Sequence, residues 1–271
     1  MPSPFLSIII DDCIKNAKDY NAGGARYNSS YIQGVGLGSI TDSLTSIKYN
    51  IFDEKNLTMK ELLEILTTNF KDKEELRQRF ICDTPKYGND EDYPDAITMD
   101  VFELYFNAVD GRPNTKGGQH RINLLPTTVH VYFGSVIGAM PDGRKAFEPL
   151  SEGISPVQGS DTKGPTAVLK SASKIDHVRT GGTLLNQKFT PSFFATDEGI
   201  ENITHLVRGY FKLGGHHIQF NVVSADTLRE AQKNPEKYRD LIVRVAGYSD
   251  YYINLGPKLQ DEIIKRTEHG Y

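Results

Sequence analysis

The segment that constrains this chain most lies near its end, where the apolar run Leu241, Ile242, Val243, Arg244, Val245, Ala246 meets Gly247 inside an Arg-Val-Ala-Gly-Tyr frame. Such a run has the pattern of a strand buried on both faces. Glycine ends a strand where the backbone must turn or another segment must pass closely. Upstream, His217 to Val222 alternates, with Ile218, Phe220 and Val222 on one face and His217, Gln219 and Asn221 on the other. A polar face of this kind is suited to a lumen. Helical patterns over residues 196–212 and 224–233 flank these strands. Strands alternating with helices make an α/β fold.

The first half reads as mainly helical. The pattern predicts a helix over residues 4–20, capped by Ser3, with Leu6, Ile9, Ile10, Cys13 and Ala17 on one stripe, which makes Cys13 a core residue. A glycine-spaced loop, residues 34–39, leads into a helix carrying Leu44, Ile47 and Lys48. Thr58 and Glu61 have the spacing of a capping box ahead of Leu62, Leu63 and Leu66. Further helices are predicted over 72–82, 94–109 and 257–266. After Pro113 glycine and β-branched residues increase, and residues 128–133 alternate like a strand.

Composition excludes several classes. A chain of 271 residues with a net charge of -4 fits one large domain or two small ones. No basic stripe offers a field for phosphates, so nucleic acid is not an expected partner. No apolar stretch approaches a membrane span, and Asp11 and Asp12 cut off the run that begins at Leu6. The opening Met1-Pro2-Ser3-Pro4 has neither basic leader nor cleavable apolar core, so the expectation is a cytoplasmic protein.

Cys13 and Cys82 are too few for a disulfide framework or a metal cage, and no metal site is expected. His216 and His217 would point to opposite sides of a strand, which favours structural roles. The loop at 34–39 has no spaced acidic partner and reads as packing rather than phosphate binding. Asp90, Glu91, Asp92 and Asp95 read as a solvated helix start, favourably charged at the amino end. No nucleophile-elbow frame surrounds a serine.

Several strings, taken in order, resemble the C-terminal part of the glycyl radical enzyme superfamily. They are Gly138-Ala-Met-Pro-Asp-Gly-Arg-Lys-Ala146, Pro149-Leu-Ser-Glu-Gly-Ile-Ser-Pro156, the Arg244 to Ser249 frame, and Gln260-Asp-Glu-Ile-Ile-Lys-Arg-Thr267. Within the superfamily the chain is most similar to the branch of the trans-4-hydroxy-L-proline dehydratases and the pyruvate formate-lyase-like (formate acetyltransferase) proteins. That narrower likeness rests on Gly23-Gly-Ala-Arg-Tyr-Asn28, Tyr31-Ile-Gln-Gly-Val-Gly36, Thr84-Pro-Lys-Tyr-Gly-Asn-Asp90, Leu125-Pro-Thr-Thr128 and Thr180-Gly-Gly-Thr-Leu-Leu-Asn-Gln187.

The resemblance implies an α/β fold, the later strands and central glycine loop of a ten-stranded barrel. It divides the chain into a mainly helical part, residues 1–125, and a glycine radical domain, residues 126–271. Gly247 would store the radical. A glycine α-carbon lies between a donating amide nitrogen and a withdrawing carbonyl, and no β-carbon twists the radical out of plane. Arg244, Val245, Ala246, Tyr248 and Ser249 would shape the loop. Thr127 would line the substrate pocket; read by itself it serves equally as a plain hydroxyl at a strand start.

No cofactor is bound in such enzymes. A radical S-adenosylmethionine activase with an iron-sulfur cluster removes hydrogen from the glycine, and the radical passes to a cysteine whose thiyl abstracts hydrogen from a small-molecule substrate. A dehydratase then expels hydroxide as water, with a glutamate as base. That cysteine belongs to a Cys-x-Glu loop, and neither Cys13-Ile14-Lys15 nor Cys82-Asp83-Thr84 matches it. Met1 to Leu6 lines up with an internal stretch of the family, so the chain looks like the C-terminal portion of a larger enzyme, inactive without an upstream chain that carries the loop. A homodimer of the complete enzyme is left open. The alternatives are a formate acetyltransferase-like portion, a non-catalytic radical carrier that docks on a partner enzyme, and an inactive remnant. An incomplete barrel exposes edges, so the isolated chain is expected to aggregate or to need a partner.

Overall fold

The alternation near the end of the chain becomes part of a parallel sheet. In the computed structural model, which describes residues 1–269, β1 (Ser30–Gln33) pairs in parallel with β2 (His120–Asn123). Strand β3 (Leu184–Phe189) pairs in parallel with β4 (His217–Val222) along its whole length. A parallel bridge between Leu124 and Thr183 joins the two pairs. There the Leu124 N–H donates to Gly182 O at 2.8 Å and the Leu184 N–H to Leu124 O at 3.2 Å. The strands therefore form one arc in the order β1, β2, β3, β4.

Parallel neighbours need long crossovers, and helices supply them. Two short helices, α1 (Pro4–Ser7) and α2 (Asp11–Lys15), precede β1. Between β1 and β2 lie α3 (Leu37–Ile47), α4 (Met59–Thr67), α5 (Glu74–Cys82) and α6 (Asp92–Val109). Helices α7 (Val129–Val136) and α8 (Pro165–Ala172) carry the chain to β3, and α9 (Asp197–Lys212) carries it to β4. Then α10 (Ala225–Lys233) leads into an antiparallel hairpin of β5 (Ile242–Arg244) and β6 (Ser249–Tyr251). The chain continues through α11 (Pro257–Lys265) to β7 (Glu268–His269), which pairs with the other edge of β3 at Lys188 and Phe189.

Helix starts follow their sequence signals. Thr58 and Glu61 cap α4 reciprocally, the Thr58 N–H donating to Glu61 Oε2 at 2.8 Å and the Glu61 N–H to Thr58 Oγ1 at 3.3 Å. Thr196 and Ser224 cap α9 and α10 by accepting from the Gly199 and Thr227 amides at 3.1 Å each. The main core lies between the arc and its helices, with Leu37, Phe102, Ile122, Leu124, Ile154, Val168, Leu185 and Tyr210 packed together. A second core, Val223, Leu228, Val243, Val245, Tyr252 and Ile263, backs the hairpin.

Four sequence expectations are corrected. Residues 128–133 belong to helix α7, not a strand: His130 and Gly134, one turn apart, are buried while Tyr132 is exposed. The helix expected over 4–20 is broken into α1 and α2. Cys13 is buried, but Leu6 and Ile9 are exposed. Ser3 does not cap; its N–H and the Ser7 hydroxyl both donate to Asp19 Oδ2 at 2.8 Å, folding the segment back on itself. The run 241–245 is not covered on both faces, since Ile242 is exposed while Val243 and Val245 are buried. Finally, the acidic stretch is not all solvated: Asp95 is buried, paired with Lys174 at 2.7 Å and bonded to Ser171 at 2.9 Å.

Candidate functional site: the glycine loop and its anchors

Gly247 occupies the tip of the β5–β6 hairpin, where the Val245 N–H donates to Tyr248 O at 2.9 Å and closes the turn. Its φ is +76°, a conformation glycine reaches without strain. No atom lies within 4 Å of where a β-carbon would sit. Gly247 is exposed, as are Tyr248 and Ser249, whereas Val245 and Ala246 are buried beneath them.

Strand β4 holds the loop. Asn186 and Gln219 are register partners across β3 and β4, and so are Lys188 and Asn221, so these four polar side chains share one face. Asn221 clamps Arg244 at both ends of its backbone: the Arg244 N–H donates to Asn221 Oδ1 and Asn221 Nδ2 donates to Arg244 O, each at 2.7 Å. Gln219 Oε1 accepts from the Gly247 N–H at 3.0 Å and from Arg244 Nε at 3.1 Å. The Arg244 guanidinium then reaches forward, donating to Gly247 O and Ser249 Oγ at 3.2 Å each. Behind the loop, Arg266 Nη1 donates to Val245 O at 3.1 Å.

A buried ionic cluster supports these anchors. Arg266 forks onto Glu262 at 3.0 and 2.9 Å and lies 4.0 Å from Glu152, while His130 approaches Glu262 at 3.6 Å. Two carboxylates share one guanidinium here. Burial opposes charge on Glu262, but Arg266 and His130 hold its carboxyl well below the usual range. Burial pushes Glu152 the other way, above the usual carboxyl range, despite the attraction of Arg266. Lys188, also buried, donates to Ile264 O at 2.9 Å at the carboxyl end of α11, where a cation is favoured.

The five loop residues named from the sequence, Arg244, Val245, Ala246, Tyr248 and Ser249, thus sit around Gly247. Thr127 does not belong to this constellation; it is exposed in the link between β2 and α7. Cys13 is buried near the chain start, and Cys82 lines a cavity of 640 Å³ with Lys86, Asp142 and Arg144, whose wall Glu262 also forms. Sequence reasoning missed Glu152, Asn186, Glu262 and Arg266 as supports. The available signal was the polar alternation of β4, which identified the face but not its guests.

Comparison with known proteins gives the family of the chain. Residues 1–134 match the family model "Pyruvate formate lyase-like", and residues 150–253 match "Glycine radical". The chain belongs to the glycyl radical enzyme superfamily. It is 57% identical over 271 residues to trans-4-hydroxy-L-proline dehydratase of Clostridioides difficile, covering 100% of this chain and 34% of that protein. The crystal structure of hydroxyproline dehydratase from Clostridioides difficile, with trans-4-hydroxy-L-proline bound, superposes with a TM-score of 0.96 over 100% of this chain and 34% of the other. The glycerol-bound B12-independent glycerol dehydratase from Clostridium butyricum gives 0.94 at 47% identity, over 99% and 34% of the two chains. The chain spans about a third of the length of these relatives, as their C-terminal part, and its arc of parallel strands is the corresponding part of the superfamily's α/β barrel. The glycyl radical domain comes with that membership. Among the described residues no helix is long and apolar enough to cross a membrane.

Proposed function

We propose that this chain is the radical-bearing C-terminal portion of a glycyl radical lyase, a dehydratase of the trans-4-hydroxy-L-proline type that breaks a C–O bond with loss of water. One observation carries the reading. Gly247 has an unobstructed α-carbon, and both of its peptide groups are held by side chains rooted in a buried polar wall. In this reading residues 1–125 form the barrel part downstream of the Cys-x-Glu loop, and residues 126–271 form the glycine radical domain.

Residue roles follow from the contacts. Gly247 stores the unpaired electron; Arg244 orients its carbonyl; Val245 and Ala246 seat the loop; Tyr248 and Ser249 border its exposed side. Thr127 lines the substrate pocket. An upstream portion supplies the thiyl cysteine and the basic glutamate, and roofs the side on which Gly247 is open. A radical S-adenosylmethionine activase installs the radical, and the compartment is the cytoplasm. An acyl-carrying chemistry of the formate acetyltransferase kind would need a second cysteine adjacent to the thiyl cysteine, in that same upstream portion.

The test is anaerobic incubation with an activase followed by electron paramagnetic resonance. A doublet that disappears in Gly247→Ala supports the assignment, and so does cleavage of the chain at that residue in air. A doublet that persists in Gly247→Ala removes it.

A further inference from the structure

The side chains that reach Gly247 form a chain of hydrogen bonds with a direction. It begins at the buried Glu152, whose Oε2 accepts from Asn186 Nδ2. The other end of the Asn186 amide, Oδ1, accepts from Gln219 Nε2. Gln219 Nε2 also donates to Val245 O at 3.3 Å, and Gln219 Oε1 accepts from the Gly247 N–H and Arg244 Nε. A carboxylate oxygen accepts and does not donate, whereas each amide has one donating and one accepting end. The acceptor at Glu152 therefore dictates which way Asn186 faces, and Asn186 dictates which way Gln219 faces. Turning either amide over would set donor against donor in a buried place, where unmade bonds are costly.

We propose that Glu152, Asn186 and Gln219 form a one-way relay that orients the Gly247 backbone, with Gln219 as the positioning residue for the radical-bearing carbon. The inference rests on the reading of Gly247 given above. The two peptide groups beside the Gly247 α-carbon are the groups that stabilise an electron there, so what holds them bears on the radical. Gln219 Oε1 governs both sides: it takes the Gly247 N–H directly, and it holds the Arg244 guanidinium that donates to Gly247 O.

The relay is tested by amide hydrogen exchange at Gly247 in the 271-residue chain. Gln219→Met keeps the volume and removes the acceptor, and Gly247 exchange should rise about tenfold while amides of α9 keep their protection. Gln219→Glu keeps an acceptor for Gly247 but confronts the Asn186 oxygen with a carboxylate, so it should also exchange faster. In the double variant Glu152→Gln/Gln219→Glu the bonds from residue 152 through Asn186 to the Gly247 N–H run in the opposite sense, with only the Gln219 bond to Val245 O unmade, and Gly247 protection should return. Unchanged exchange in Gln219→Met, or a double variant no better than Gln219→Glu, overturns the proposal. Should Gln219→Met lose protection throughout α9, the comparison of Gln219→Glu with the double variant decides alone. Exchange is read without any radical, so an absent doublet in the unaltered chain would sink the radical assignment and leave the relay standing.

Discussion

Replacing Gly247 by alanine separates two reasons for finding glycine in a tight turn. One is conformational: at a φ of +76° an L-residue is strained by roughly 1–2 kcal/mol. The other is chemical, the need for an α-carbon without a substituent. Packing adds nothing, because no atom lies within 4 Å of the new methyl group. The strain is partly offset by about 0.4–1 kcal/mol from the stiffer unfolded chain. The net loss should be about 1 kcal/mol, lowering the melting temperature by roughly 2–4 °C.

Gly153 provides the contrast. Its φ is +51°, and a β-carbon there would sit 2.1 Å from Leu184 O, so β3 itself would have to move. Strain and overpacking together should cost about 3 kcal/mol or more, a large fraction of a domain's stability. Thermal melts of Gly247→Ala and Gly153→Ala, followed by far-ultraviolet circular dichroism, measure the difference directly. The expected order is a nearly unaffected Gly247→Ala and a severely destabilised Gly153→Ala. If Gly247→Ala melts as low as Gly153→Ala, the glycine is needed to build the fold, and its open α-carbon loses its force as a chemical argument.

Two further outcomes follow from the structure. Asp42 is a buried carboxyl, pushed up to about 7 by desolvation from a starting value of 3.8. The folded chain then keeps protons that the unfolded chain releases, so this stabilisation is present below the unfolded values and is lost as pH rises through about 7. Urea unfolding at pH 5 and pH 8 should show the chain more stable at pH 5, with Asp42→Asn removing a share of the slope on the order of 2–3 kcal/mol; a slope unchanged by that substitution would contradict the assignment. Thr127 is exposed, so Thr127→Val should leave the melting temperature unchanged and, in the chain combined with the upstream portion of a relative, weaken substrate binding; equal turnover and equal KM would reduce Thr127 to a linker hydroxyl.

How much of this was readable from the sequence depends on the range of the forces involved. Local signals were reliable: the Thr58–Glu61 box, the helical patterns over 196–212 and 224–233 and the alternation of His217 to Val222 each became the structure they implied. The alternation at 128–133 failed because six residues fit a period of two by chance, and only the fold reveals that His130 and Gly134 are the buried pair. The stripe around Cys13 failed because Asp19, a distant acceptor, breaks the first helix. At the site, the frame around Gly247 showed that the backbone turns there, which it does, between β5 and β6. The Glu152–Asn186–Gln219 sequence of bonds was not legible, since each member comes from a different segment and only strand register brings them together.

The same register leaves β1 as the outermost strand of the arc among the described residues, and Tyr31 and Ile32 on it are exposed. An exposed strand edge with aromatic and branched side chains is a template for pairing with another strand. The apolar surface does not end there: Phe5, Ile9, Tyr132 and Val136 are also exposed, two near the start of the chain and two on α7. Helices α3, α6, α8 and α9 cover the main core, while α4 and α5 pack together in a cluster of their own around Leu62, Ile65 and Phe80. The isolated chain should therefore self-associate with rising concentration, and co-expression with the upstream portion of a relative should convert it to a defined complex. Light scattering during size-exclusion chromatography gives the answer, and a monodisperse monomer across a tenfold concentration range, roughly micromolar to tens of micromolar, would refute the view that these surfaces are meant to be covered.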